Sequence, residues 1–353
     1  MSDAPRPGSA PNVPDGKLRP TIRDVARHAG VGRGTVSRVL NDQPNVAAKT
    51  KAKVERAIAE LQFVPNPIGR QLSLGRTMAI GVVAPFLTRP SVVERLRGVS
   101  STLVGTEYDM IAFDIESVER RDAMFRDILM RHSLDGLLII SLRPHSDEVD
   151  YMARTGLPCV LVDTSHPLLP RVVIDDVEGG RMATQHLIDL GHTRPVFLGD
   201  LPDSTFSFSS SRLRSWGFRR ALVDAGLPFD RGQIRVASHG RLTARDLATE
   251  MLRSDSPPTA IVCASDTQAL GVLEAARALG ISVPRDLSVV GYDDIDAAAY
   301  YDLTTIRQPL AESGAQGSAR LLELLAGEPV RPFRQTLPVE VVIRGTTAAR
   351  RER

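Results

Sequence analysis

From Thr77 onward the chain alternates short apolar runs with amphipathic stretches. The apolar runs are nine: "MAIGVVA", "YDMIAF", "GLLIIS", "CVLV", "RVVID", "PVFLG", "QIRVA", "TAIVCA" and "LSVVGYD". Val, Ile and Leu crowd them without the polar residue at every second place that a half-exposed strand shows. Strands of this kind are buried on both faces, which requires parallel sheets with helices on each side. Nine strands exceed what one doubly wound half uses, so the pattern predicts an α/β body of two doubly wound parallel-sheet lobes. Ligands in such folds sit beyond the carboxyl ends of the strands, so two facing lobes form a binding cleft.

Ahead of this body the rhythm is helical. "TIRDVARHAG" opens on Thr21 as an N-cap, with Asp24 three residues on, and stops at Gly30. A short helix "RGTVSRVLN" follows, then "KTKAKVERAIAELQ", whose Val54, Ala57, Ile58 and Leu61 share one stripe. Val25, Ala26, Ala29, Gly30, Val31, Val36 and Val39 stand where a helix-turn-helix needs them. Ala26 must be small where the second helix crosses it, Gly30 supplies the positive φ of the turn, and the valines bury the contact. The other reading is a three-helix interaction module that does not touch DNA.

Charge separates the two regions. Residues 1–76 hold 13 Lys and Arg against 6 Asp and Glu, a net +7, while the remainder carries a net −5. A basic head of this kind is the electrostatic footprint of a polyanion partner. Residues 1–20, rich in Pro, Gly and Ser, read as a disordered tail, and "FVPNPIGRQLSLGRT" reads as a linker.

With 353 residues and 42% apolar content, the chain has enough material for several cores. Cys159 and Cys263 lie far apart in apolar runs, which points to buried thiols and a reducing compartment. The N-terminus lacks an apolar core segment and no stretch offers 18 uninterrupted apolar residues, so a cytoplasmic protein without membrane contact is expected. There is no G-x-G-x-x-G after a strand, no phosphate-loop lysine motif and no G-x-S-x-G, and the 7 histidines show no metal-ligand spacing. No catalysis, cofactor or metal is therefore expected.

The stretch "TIRDVARHAGVGRGTVSRVLNDQPNVAAKTKAKVERAIAELQFVPNPIGRQL" resembles the DNA-binding head and hinge of the lactose-repressor (LacI/GalR) family of bacterial transcription regulators. "VVIDDVEGGRMATQHLIDLGHTRPVFLG", "RLRSWGFRRAL" and "PPTAIVCASDTQALGVLEAARALGISVPRDLSVVGYDD" extend the resemblance through the body to about Gly345. It implies a helix-turn-helix domain at 21–64, a hinge at 65–76 and an effector-binding and dimerisation body at 77–345, shaped like a type I periplasmic binding protein. The first lobe would take about 77–175 and 307–333, the second about 176–304 and 334–345, with 346–353 as a tail. The implied partners are an operator duplex, a small-molecule effector and a second copy of the chain. "TTAARRER" lacks the apolar heptads of a tetramerisation helix, so a dimer is the expected limit.

The resemblance places Arg33 and Gly34 at the two main base-reading positions. Gly34 offers no side chain, so reading falls to Arg33, with Arg38 about a turn further on; Arg33 either reads guanine or holds a phosphate. Gly32 replaces the usual serine N-cap, a loss of a few tenths of a kcal/mol. Thr35 and Ser37 read as phosphate donors, Lys49, Lys51 and Lys53 as backbone anchors or solvated charge. Thr21, Asn41, Asn66 and Arg70 complete the set facing DNA, and Leu72 matches the leucine that wedges into the minor groove, or else packs hinge on hinge. Pro67 and Gly69 predict a hinge that folds only on DNA.

For the effector, the resemblance implies Phe86, Asp114 and Asp163 from the first lobe and Arg214, Asp266 and Asp293 from the second. The resemblance makes Arg214 in "RSWGF" the effector arginine and Asp293 in "GYDD" its matching acceptor; the other reading, open above all for Asp163 and Asp266, is that each is satisfied by a neighbouring charge. Leu242, Ser91 and Ser265 depart from an aromatic platform, a pocket phenylalanine and an asparagine common in the family. A sugar is the family default, whereas Arg89, Arg143, Arg212 and Arg241 near the mouth suit a sugar phosphate or an acid, or are simply surface charge.

Overall fold

The computed structural model describes residues 20–40, 43–44, 46–64, 76–131, 133–201 and 209–350. Two compact units meet at Arg76 and Thr77. Asn41 and the hinge, with Asn66, Arg70 and Leu72, lie outside the described residues.

The head is α1 (Ile22–Ala29), α2 (Arg33–Leu40) and α3 (Ala48–Leu61). Thr21 opens α1 by donating its backbone N–H and its hydroxyl to Asp24 Oδ2, at 2.9 and 2.7 Å. Those bonds hold the Asp24 carboxyl below its usual range. Gly30 closes α1 at φ 65°, and Val31 N–H returns to Ala26 O at 3.0 Å, so the turn needs a residue without a Cβ penalty. The Gly32 carbonyl then accepts from Thr35 and Val36 N–H at 2.9 and 3.2 Å, so α2 starts without a side-chain cap. Val25, Ala26, Val36, Val39, Val54, Ala57 and Phe63 form the core between the helices.

In the body, β1 (Ala79–Pro85), α4 (Pro90–Leu103), β2 (Asp109–Ile115), α5 (Val118–Arg131), β3 (Gly136–Ile140), α6 (Ser146–Thr155), β4 (Cys159–Val162) and β5 (Arg171–Ile174) alternate as expected. The second lobe follows with α7 (Asp176–Asp189), β6 (Val196–Asp200), α8 (Ser210–Asp224), β7 (Ile234–Ala237), α9 (Arg241–Leu252), β8 (Ala260–Cys263), α10 (Asp266–Ala278), β9 (Ser288–Asp293), α11 (Asp296–Tyr300) and β10 (Thr304–Arg307). The chain then returns through α12 (Leu310–Leu325), β11 (Arg334–Leu337) and β12 (Glu340–Val342). One sheet runs β11-β5-β4-β3-β1-β2, all parallel. The other runs β12-β10-β9-β8-β6-β7, parallel except where β12 lies antiparallel on β10.

Residue alternation explains why these strands carry no polar period. On β1, Ile80, Val82 and Ala84 enter the core under α4 and α12, whereas Ala79 and Val83 enter the core under α5 and α6. Both free cysteines are buried in their strands, and burial pushes each thiol above its usual range.

The lobe boundaries differ from expectation. Residues 334–345 do not all belong to the second lobe, because β11 pairs with β5 from Arg334 opposite Arg171 to Leu337 opposite Ile174. Leu337 packs on Val172 and Ile174, and this one apolar contact fixes the register. The second lobe also keeps all of β10, so the crossing lies at Gln308 rather than near 304. Among the described residues twelve strands replace the nine expected; "TTIR", "RQTL" and "EVV" are too short and polar to announce themselves.

Both lobes contain very close helix crossings, among them one between α9 and α10, where a Cβ on Gly271 would meet Arg241 O. A Cβ on Gly98 of α4 would meet Ala311 O of α12, and one on Gly314 would meet Arg95 O. Likewise a Cβ on Gly180 of α7 would meet Arg214 O of α8, and one on Gly217 would meet Val177 O. Among the described residues no helix is long and apolar enough to cross a membrane, and no group of three metal-ligating side chains occurs.

Candidate functional site

The first turn of α2 is exposed at Arg33 and Gly34, Thr35 and Ser37 are half-buried, and Arg38 is exposed. Nothing lies within 4 Å of a Cβ built on Gly34, so packing inside the head does not require glycine there. Arg38 Nε donates to Gly34 O at 3.2 Å, which lays that side chain along the bare turn. Thr21 faces solvent with its hydroxyl committed to Asp24.

In the body a cavity of about 850 Å³ opens between the carboxyl ends of the two sheets. Phe86, Arg89 and Arg143 line it from the first lobe, Asp200, Arg212 and His239 from the second. Hydroxyls complete the wall: Thr164, Ser165, Ser209, Ser211, Ser215 and Ser238. Phe86, at φ 51°, carries the Arg89 guanidinium 4.1 Å over its ring, and the Arg212 guanidinium lies 5.4 Å over Trp216. Asp200 accepts from Gln268 Nε2 at 2.9 Å and sits 3.1 Å from His239 Nδ1.

Of the six side chains expected to meet an effector, Phe86 alone is on this wall. Asp114 accepts from Leu87 N–H at 3.0 Å and braces the turn after β1. The other four belong to a buried polar network behind the cavity. Arg214 Nε donates to Asp176 at 2.8 Å and Nη1 to Ala264 O at 2.5 Å, while its guanidinium stacks 3.6 Å over Tyr292. Asp293 lies 3.7 Å from Arg214 Nη1 and accepts from Gln308 Nε2 at 2.5 Å. Asp266 is fully buried, with one oxygen accepting from Thr305 Oγ1 at 2.6 Å and the other from Ile295 N–H at 2.9 Å. Asp163 pairs with Arg95 at 3.0 Å and accepts from Ser141 Oγ at 2.6 Å. Both oxygens of Asp266 and Oδ2 of Asp163 are thus engaged inside the protein, which is the neighbouring-group alternative for these two carboxylates.

Two members of the network escaped the sequence. Arg95, 2% exposed, donates to Gln308 Oε1 at 3.1 Å, and Gln308 in the crossing segment passes the chain of bonds on to Asp293. Arg95 therefore reaches the second lobe through a single amide. The available signal was internal: "RLRG" at 95–98 repeats "RSWG" at 214–217, an arginine one turn before the glycine at the α4–α12 crossing and at the α7–α8 crossing. Arg241, in contrast, is no mouth residue, because it pairs with Glu274 of α10. Ser265 caps α10, its Oγ accepting from Gln268 N–H at 3.2 Å, a role that serine fills as well as asparagine.

Four carboxyls share this interior with two guanidinium groups. Burial, then the charge of Asp293, pushes Asp266 up to about 8, and burial pushes Asp293 up to about 6 against the pull of Arg214 and Arg95. Both folded-state values exceed the unfolded value of 3.8, so the protonated forms favour the fold. Their contribution is complete below pH 3.8 and is lost as pH rises through 6 and 8. The melting temperature should fall by several degrees between about pH 5 and pH 9. Asp266→Asn, which keeps both hydrogen bonds by turning its amide, should remove the upper part of that fall.

Comparison with known proteins fits this geometry. Residues 21–66 match the model for bacterial regulatory proteins of the lacI family, and 184–347 the periplasmic binding protein-like domain. The HTH-type transcriptional regulator DegA of Bacillus subtilis is 31% identical over 94% of this chain and 99% of its own. The ribose operon repressor of Escherichia coli is 35% identical over 83% of this chain and 89% of its own. The lac repressor dimer bound to operator and an anti-inducer superposes with a TM-score of 0.82 at 31% identity, covering 93% of this chain and 99% of that one. These relatives are regulators of transcription rather than enzymes, and the chain belongs to the lacI family of bacterial regulatory proteins.

Proposed function

We propose that this protein is a cytoplasmic, homodimeric repressor that reads a pseudo-palindromic operator through α2 and responds to a small molecule in the cleft. The carrying observation is that one chain joins an exposed Arg33 on the second helix of a helix-turn-helix to a hydroxyl-lined cavity between two lobes. Arginine at the start of a recognition helix reaches guanine O6 and N7 in the major groove, and two heads related by a two-fold axis require an inverted repeat. A partner copy is supported by large apolar side chains left in solvent: Met110 and Ile111 on the edge strand β2, and Tyr300 and Tyr301, 88% and 60% exposed, at the end of α11. The lac repressor neighbour is a dimer on operator, and other neighbours hold cellobiose or ribose.

Lobe closure is the coupling element in this reading, since the Arg95–Gln308–Asp293 bridge gives the lobes a defined relative state for a ligand to bias. The test is selection from randomised duplex DNA with the full chain and with Arg33→Ala. The wild type should select a pseudo-palindrome with a fixed G·C pair in each half. Arg33→Ala should relax that pair by about 1–3 kcal/mol, roughly tenfold to a hundredfold, and leave the remaining positions intact. A variant with unchanged sequence preference removes Arg33 from base reading.

A further inference from the structure

We propose that Gln308 is a latch that ties together two equivalent arginine–aspartate pairs, one in each lobe, and so fixes the relative position of the lobes before any ligand binds. This rests on the ligand-responsive reading above and assigns how that response is held in check. In the first lobe Arg95 of α4 reaches Asp163, the residue that follows β4, at 3.0 Å. In the second, Arg214 of α8 stands 3.7 Å from Asp293, the last residue of β9. The two aspartates take φ of 58° and 119°, a region that residues with a Cβ rarely adopt. Strained backbone persists only where surrounding bonds over-determine it, and in each lobe a buried arginine supplies one of them.

Gln308 is buried and joins the pairs: its Oε1 accepts from Arg95 Nη2 at 3.1 Å, and its Nε2 donates to Asp293 Oδ1 at 2.5 Å. A carboxamide accepts from a cation and donates to a carboxylate at once; an ionised Glu, a Lys or an apolar residue lacks one half of that function. Its place in the chain matters as much. Gln308 lies where the chain leaves β10 of the second lobe for α12 of the first, and its carbonyl takes the Leu310 N–H at 2.8 Å. Arg214 grips another crossing, because it donates to Asp176, the first residue of α7, just past β5 of the first lobe. Asp293 stands between Arg214 and Gln308 and so couples the two crossings. Lobes that move against each other must turn these segments. A ligand therefore acts on a hinge that is already locked, and its differential affinity has to cover release of the Gln308–Asp293 bond.

Amide hydrogen exchange on the ligand-free, full-length protein reads both crossings. Gln308→Met keeps the side-chain volume and leaves both arginine–aspartate pairs in place, so the variant should fold. Exchange should rise about tenfold or more at Leu310 and Ser313, and also at Glu178 and Gly179 in the first turn of α7. A purely local role for Gln308 moves only the first two. Gln308→Glu is the second variant: it keeps the acceptor for Arg95 but repels Asp293 while both carboxyls are ionised. Burial pushes Asp293 up to about 6, and Arg214, Arg95, His239, Asp266 and Tyr292 are the charged or titratable groups around it. Below that pH one shared proton rebuilds the bond. Corrected for the intrinsic pH dependence of exchange, this variant should therefore be fast at about pH 8 and approach the wild type at about pH 5. Unchanged exchange at Glu178 and Gly179 in Gln308→Met, or a Gln308→Glu protein as fast at the lower pH as at the higher, overturns the latch. Operator binding on the same preparations keeps the two ideas apart. Sequence-specific DNA binding with unchanged exchange sinks the latch alone, whereas sequence-blind binding by the wild type sinks the regulator reading.

Discussion

Replacing Arg214 with alanine is expected to destabilise the body by about 3–5 kcal/mol, the cost of leaving a buried ion pair half-made. The residue is 6% exposed, and its loss strands Asp176 and Asp293, removes the donor to Ala264 O and opens a void over Tyr292. Protonation of the carboxyls absorbs part of the penalty, so the variant should lose less at low pH than at neutral pH. Urea unfolding at both pH values checks this. Arg214→Met with Asp176→Asn should recover a large part of the loss, because the second change removes the stranded charge. A stability unchanged by Arg214→Ala would mean that the network is decorative.

The second large effect is expected at the helix crossings. Gly98→Val and Gly180→Val should each cost about 3 kcal/mol or more, the upper end for overpacking, since the added carbons meet backbone carbonyls that cannot rotate away. Gly34→Ala is the matched control: it adds a Cβ in open space and improves helix propensity, so the head should be as stable or slightly more so. Circular dichroism melts of the three variants separate these outcomes.

How far the molecule was legible follows from what each feature depends on. The head was readable because its determinants are local: Gly30 must end α1, and Val25, Ala26, Val36 and Val39 fall on facing stripes within 15 residues. The central strands were readable because burial on both faces leaves a continuous apolar run. β10, β11 and β12 were not, since each is an outer or short strand held by long-range pairing, with Leu337 the single apolar anchor of β11. Phe86 and three of the four mouth arginines were placed correctly on the cavity by charge and resemblance. The buried partners of Arg214 and Asp293 were not legible, because spacing shows where a side chain starts and not which partner 50 residues away it meets. Gln308 gave no signal at all: an amide in a crossing segment matters only once both lobes are in place.

The most direct measurement is equilibrium binding of the full-length protein to the selected inverted repeat and to the same duplex with one half scrambled, at physiological salt, with the mass of each complex recorded. The account predicts a complex of two chains on the intact repeat and a loss of at least two orders of magnitude in affinity on the scrambled one. Equal retention of both duplexes, or one chain per intact repeat, would contradict it.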